Sequence, residues 1–167
     1  MTCGPVDIAR TEDLAAVRRL GVACGLDDSR RGDEEIEAAW GAFDGGRLVG
    51  AIVLERLHGL ETANWLAVDG AYRRRGIASR LYAALEGEAL ARGIPRLWVT
   101  ARTPAFFRAH GYDALDEGDQ RDILMGDCPR CEQFGRGCEP QALTKWIDDT
   151  GPPDGPRSEG ETWRDRD

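Results

Sequence analysis

Apolar positions along the chain change period several times, and each change marks an element. Val6 to Arg10 reads as a short first strand. Leu14, Val17, Leu20 and Ala23 then recur at spacings of three and four, the buried stripe of an amphipathic helix. Thr11 is the expected N-cap of that helix, with acids in the first turn favouring the dipole. The polar run over residues 27–33 reads as a loop, and a second helix is expected from Glu34 to Trp40.

A hairpin follows. Ala42-Phe43-Asp44 and the run from Arg47 to Glu55 flank Gly45-Gly46, and a double glycine between apolar runs is a hairpin signal. Leu57 to Leu60 makes another turn, and Glu61 to Val68 is the return strand. Ile77, Leu81, Ala84, Leu85 and Ala89 mark the longest helix, expected to stop at Arg92-Gly93, where glycine suits the residue after the cap. Ile94 to Thr100 is the next strand; a strand–helix–strand order requires a crossover, so it should run parallel to Glu61–Val68. Thr103-Pro104 opens a short helix, Ala105 to His110, and Gly111-Tyr112 is expected to begin a last central strand. Gln141 to Ile147 reads as an edge strand.

Composition narrows this picture. A chain of 167 residues with 41% hydrophobic residues has the size of one globular domain with a real core. The net charge is −8, yet three arginines stand together at Arg73, Arg74 and Arg75. An acidic chain with one local basic site points to a focused anion site and away from general nucleic-acid binding. No signal-peptide-like or membrane-spanning apolar run occurs, so a cytoplasmic protein without membrane contact is expected. Five cysteines, an odd number, fit thiols or metal ligands better than a disulfide frame.

The arginines lie between the strand ending at Val68 and the helix starting near Ile77. A helix start leaves N–H groups unpaired, its dipole adds positive charge, and successive N–H groups in a turn form an anion nest. Gly76 lacks a Cβ, so anionic oxygens can approach the backbone, and arginines pair with phosphate in forked geometry. No Gly-Lys-Ser/Thr and no Gly-x-Gly-x-x-Gly is present, which excludes a P-loop and a dinucleotide fingerprint.

Arg73-x-x-Gly76-x-Ala78 resembles the Arg/Gln-x-x-Gly-x-Gly/Ala loop of the GNAT acyltransferases. A second stretch, Val99 to Tyr112 with Arg102, Phe106-Phe107 and Gly111-Tyr112, resembles the acetyltransferase domain of N-acetylglutamate synthases and the small arsinothricin-type N-acetyltransferases. The resemblance covers roughly residues 4–125 and implies an α+β GNAT fold with a mixed, mostly antiparallel sheet. The domain is expected to span residues 1–147, residues 116–147 being a cysteine-containing extension that departs from a minimal GNAT domain, and the Pro-, Gly- and charge-rich residues 148–167 to be a disordered tail.

What the resemblance implies about chemistry is an acetyl-coenzyme A-dependent N-acetyltransferase, in which a small, glutamate-like amine attacks the thioester directly in a ternary complex. Arg73, Arg74, Arg75, Gly76, Ile77, Ala78 and Ser79 would hold the pyrophosphate. Leu66, Ala67 and Val68 would lie beside the pantetheine arm, on a strand splayed from its neighbour, with a backbone N–H there polarising the acetyl carbonyl. The segment between the first strand and the hairpin would shape the acceptor pocket, and Arg102 would pair with an acceptor carboxylate. Glu55 and Glu61 are the candidate bases for the ammonium proton, with His58 a third. Many GNAT enzymes return a proton to the thiolate from a tyrosine five residues before the aromatic of Gly-Phe; Phe107 stands there and cannot donate one. Tyr72 and Tyr112 are expected to be packing groups. A homodimer through the C-terminal strands is also a family expectation.

Two other functions are compatible with these residues. One is a coenzyme A-binding sensor without turnover, which the phenylalanine favours. The other is a metal- or redox-linked interaction module built on Cys128-x-x-Cys131 and Cys138. A thiolate pair is half of a common zinc site, but four ligands are the norm and no second Cys-x-x-Cys is present; zinc is therefore not favoured.

Overall fold

The computed structural model describes residues 5–26, 34–126, 135–136 and 138–148. Seven strands form one sheet in the order β1-β2-β3-β4-β5-β7-β6. They are β1 (Val6–Arg10), β2 (Glu34–Asp44), β3 (Arg47–Leu57), β4 (Leu60–Val68), β5 (Arg96–Ala101), β6 (Asp113–Ala114) and β7 (Gln141–Trp146). Every neighbouring pair is antiparallel except β4 with β5, which is parallel as the crossover requires.

The helices are α1 (Leu14–Ala23), α2 (Ile77–Ala91), α3 (Pro104–Ala109) and α4 (Asp119–Met125). α1 packs on β3 and β4, and α2 packs on β1 to β4. Their apolar stripes define two clusters. Ile77, Leu81, Leu85 and Ala89 of α2 bury against Val49, Ile52, Leu54, Ala63 and Trp40. Val17 of α1 buries against Ala39, Ala51, Val53 and Trp65. Alternating residues of β3 therefore serve opposite faces, as the two-residue period demands.

Four expectations need correction. Glu34 to Trp40 is not a helix but the first part of the long strand β2; it pairs along β3, and β1 joins on the other side from Trp40 onward. The N-cap of α1 is Asp13, whose carboxylate accepts from the Ala16 N–H at 3.0 Å; Thr11 instead accepts from the Asp13 N–H at 3.2 Å. No acid follows in the first turn of the helix. The C-terminal strands are exchanged: β7 lies inside the sheet between β5 and β6, and the two-residue β6 after Tyr112 forms the edge. The Gly45-Gly46 hairpin and the stop of α2 before Gly93 are as expected.

Candidate active site

The loop between β4 and α2 is built by its own side chains. Asp69 accepts from the Ala71 N–H at 2.9 Å and fixes a short turn over Gly70–Tyr72, while Arg47 donates to Asp69 at 3.3 Å. Tyr72 is buried and donates its hydroxyl to Asp44 at 2.5 Å. The three arginines then divide. Arg73 turns back and donates through Nε to the Val68 carbonyl at 3.2 Å. Arg74 takes a left-handed backbone, φ 63°, and Arg75 lies over the Tyr72 ring at 5.2 Å.

Gly76, with φ 75°, is the N-cap of α2, and no side chain caps the helix there. The first-turn N–H groups of a fifteen-residue helix therefore open toward an exposed, arginine-rich turn. A Cβ on Gly76 would meet nothing within 4 Å, so the close approach above the loop is open for a phosphate group. These features fit the pyrophosphate of coenzyme A.

Beside this loop, β4 and β5 part company. Their register has a single pair, Thr62 with Trp98, so β4 from Ala63 to Val68 runs without a ladder partner on its β5 side. On the other side, Ala51 pairs with Ala67 and Val53 with Asn64, leaving Trp65 and Leu66 opposite Ile52. That is a β-bulge, and Trp65 sits in it at φ 55°. A bulky residue there costs about 1–2 kcal/mol of backbone strain. The bulge reverses the facing of the strand: Leu66 and Val68 turn toward the α2 cluster, and Trp65 toward α1. Leu66, Ala67 and Val68 thus line the open side of the splay, where a pantetheine arm would run.

The residues just after α1 reach the ends of the two parted strands. Cys24 Sγ lies 3.6 Å from the Val68 carbonyl at the end of β4. Arg102, just past β5, donates to the carbonyl of Gly25. Arg102 is therefore at the mouth of the splay, next to α1. Sequence reasoning did not single out Cys24, Asn64 or Trp65 for this site. One signal was present: Gly21, a glycine inside a helical pattern, which marks close packing.

The two candidate bases do not share a surface. Glu55 is fully buried and pairs across the strands with Thr62, two residues beyond Val53 on the α1 face. Glu61 lies in register with Arg56 and two residues before Ala63 on the α2 face. There Arg56 bonds Glu61 at 2.9 Å and Glu37 at 3.1 Å, and Arg92 at the end of α2 reaches Glu37 at 3.7 Å. Burial, followed by hydrogen bonding to Glu37, pushes the Glu61 carboxyl up to about 7, against the opposing pull of Arg56. His58 sits in the β3–β4 turn at φ 48°.

Phe107 is buried in an aromatic cluster with Tyr82 and Tyr112, ring centroids 6.3 and 5.2 Å away. Tyr82 and Tyr112 share a hydroxyl–hydroxyl bond of 3.1 Å, and burial raises both phenols, so they remain protonated. Tyr72 and Tyr112 are packing groups as expected. Cys128 and Cys131 lie outside the described residues, as does Cys3, while Cys138 is half-buried. Among the described residues, no group of three or more His, Cys, Asp or Glu could hold a metal ion. Among the same residues no helix is long and apolar enough to cross a membrane.

The family model described as "Acetyltransferase (GNAT) family" matches residues 10–112, more than half of the chain. The chain belongs to the GNAT acetyltransferase family, whose members transfer acetyl groups from acetyl-coenzyme A, and it is an N-acetyltransferase of that class. Solved structures carry the same fold. An acetyltransferase of the GNAT family from Staphylococcus aureus superposes with a TM-score of 0.64 at 13% identity, over 86% of this chain and 100% of that one. N-acetylglutamate synthase from Neisseria gonorrhoeae, complexed with coenzyme A and N-acetyl-glutamate, gives 0.61 at 17% identity, over 88% of this chain and 36% of its own. The ribosomal-protein-S18-alanine N-acetyltransferase from Escherichia coli gives 0.61 at 17%, over 88% and 97%. No curated protein sequence matches the chain.

Proposed function

We propose that the acceptor is a small amine carrying a carboxylate, glutamate-like in shape, and that it attacks the thioester directly while both substrates are bound. The observation that carries this reading is the position of Arg102. It projects from the end of β5 to the end of α1, at the mouth of the splay where the thioester would lie. A guanidinium has five donors in a fixed fork, so one can hold Gly25 while others take a carboxylate. The Neisseria synthase, bound to coenzyme A and N-acetyl-glutamate, supports an acceptor of this class.

In this reading the first-turn N–H groups of α2 from Gly76 to Ser79, with Arg74 and Arg75, hold the pyrophosphate. Arg73 holds the Val68 carbonyl and so shapes the edge along Leu66 and Ala67 that meets the pantetheine arm. The thioester supplies the electrophilic carbonyl and the leaving thiolate. Glu55 is the favoured base because it lies on the α1 face of the sheet, which Trp65 also takes. Glu61, bound by Arg56 on the other face, holds the sheet end together. With phenylalanine at 107, the leaving thiolate takes its proton from water. Residues 1–147 form the domain in this reading, β7 being a strand of its sheet.

The test is coenzyme A release from acetyl-coenzyme A with glutamate, its side-chain and α-carboxyl amides, other amino acids, polyamines and a lysine peptide. Turnover confined to carboxylate-bearing small amines supports the reading. Turnover with the peptide alone overturns the acceptor, and coenzyme A binding without turnover on any amine overturns direct transfer.

A further inference from the structure

Trp65 is the most constrained residue of the splay. Its backbone occupies the left-handed region inside a strand, and its side chain is buried. Three contacts hold it there. Its indole Nε1 donates to the Val17 carbonyl of α1 at 2.9 Å. Its backbone N–H donates to the Asn64 side-chain oxygen at 2.8 Å. Its ring fills the space above Gly21, where a Cβ would lie 2.3 Å from the indole. No residue but glycine allows α1 that approach.

The bulge also stands at the opening between the strands. It sits on the strand that carries Leu66, Ala67 and Val68, at the point where β4 has left β5 and its facing reverses. The same α1 ends on Val68 through Cys24 and on Arg102 through Gly25. α1 therefore touches the bulge, and the turn that follows it touches the end of β4 and the residue after β5.

We propose that Trp65 is a positioning residue for acetyl transfer: its indole, locked to Val17 and seated on Gly21, fixes the bulged backbone of β4 against which the acyl thioester is held. Pyrophosphate binding is fixed elsewhere, at Gly76 and the arginines, so the lock acts on the reacting end of the cofactor more than on its affinity. Misplacing reactants by a small distance lowers the rate steeply while leaving ground-state binding largely in place.

This inference rests on acetyl-coenzyme A occupying the splay, and coenzyme A binding by calorimetry tests that reading separately. Two variants test the inference. Trp65→Phe keeps a ring and removes the indole N–H. Gly21→Ala pushes on the intact indole from the helix side, and alanine is the better helix former, so α1 itself is not weakened. In the variants that fold by circular dichroism, kcat is expected to fall by roughly 10- to 100-fold, with KM for acetyl-coenzyme A changed by less than about threefold. A folded variant with unchanged kcat overturns the proposal, as does a loss carried by KM alone. A third arm needs no variant: hydrogen exchange of the indole N–H groups in the native protein, with Trp40 on the α2 face as the internal standard. Coenzyme A is expected to slow Trp65 more than Trp40, because a ligand that prefers the fixed bulge stabilises its lock. Equal slowing of the two indoles overturns the proposal; absence of coenzyme A binding overturns the underlying reading instead.

Discussion

Glu55 and Glu61 stand on adjacent strands yet face opposite sides of the sheet, Glu55 opposite Thr62 and Glu61 opposite Arg56. A single amine at the splay can reach only one of them. Glu55 shares its face with Trp65 and α1, so Glu55→Gln is expected to lower kcat by about 10²- to 10⁴-fold, the usual contribution of a positioned base. Glu61→Gln should stay within about threefold of the native rate at pH 8, since an exchange that leaves binding and proton transfer alone leaves the barrier alone. Steady-state kinetics with both variants decides this. A reversed ranking would move the base to the α2 face.

The carboxyl of Glu61 also makes stability depend on pH. Its value in the folded protein, about 7, lies above its ordinary value of 4.5. The folded state therefore binds more protons than the unfolded state between those values, and stability falls as pH rises through that window. Stability from this group is full below the unfolded value and is lost by the time pH passes about 7. The melting temperature of the native protein is expected to drop across pH 5 to 8 by a step that Glu61→Gln removes, and each kcal/mol corresponds to roughly 2–4 °C at this chain length. Thermal melts of both proteins across that range give the answer; parallel profiles would show that Glu61 titrates normally.

The residues displayed the strand-loop-helix unit but not the β4 bulge, for a physical reason; the splay itself was implied only by the family resemblance. Arg73 to Ala78 is a local motif whose backbone is set by near neighbours, so its strand-loop-helix context could be read directly. The β4 bulge depends on Val17, Gly21 and Ile52, which are distant in sequence, and nothing in Asn64-Trp65-Leu66 announces a left-handed tryptophan. The run Glu34 to Trp40 misled because Glu and Ala favour helix by a few tenths of a kcal/mol per residue. Pairing along β3 outweighs that preference, and a bulge between Ile36 and Ala38 breaks the simple alternation that would have revealed a strand. The order of β6 and β7 was illegible because insertion of a late strand between two earlier ones leaves no local mark.

Gly76 allows the loop itself to be tested. Its φ of 75° is one that a side chain adopts only with strain, although the space around it is empty. Gly76→Ala should destabilise the protein by about 1–2 kcal/mol and raise KM for acetyl-coenzyme A modestly. Gly76→Glu adds a carboxylate at the helix N-cap, facing the phosphates, and should raise that KM by roughly 10- to 100-fold, a charge-assisted contact's worth. Calorimetric titration with coenzyme A measures both; equal affinities in the native and glutamate proteins would place the pyrophosphate elsewhere.

Arg102 calls for a cycle rather than a single substitution, because it has a structural partner in Gly25 as well as a proposed substrate partner. Arg102→Ala removes both contacts, so a loss of activity alone would not separate them. Converting the acceptor carboxylate to its amide removes only the second. If the guanidinium binds the carboxylate, the native enzyme should lose about 10- to 100-fold in kcat/KM on the amide, as expected for a charge-assisted hydrogen bond. Arg102→Ala should show the same low value with either acceptor. The coupling between the two changes then measures the contact itself, free of the α1 contribution. Arg102→Lys refines the result, since a lysine keeps the charge but not the fork, and partial recovery on the carboxylate acceptor would indicate bidentate pairing. Additive effects, with the amide penalty undiminished in Arg102→Ala, would leave Arg102 as a tie between β5 and α1 and assign acceptor recognition to another group.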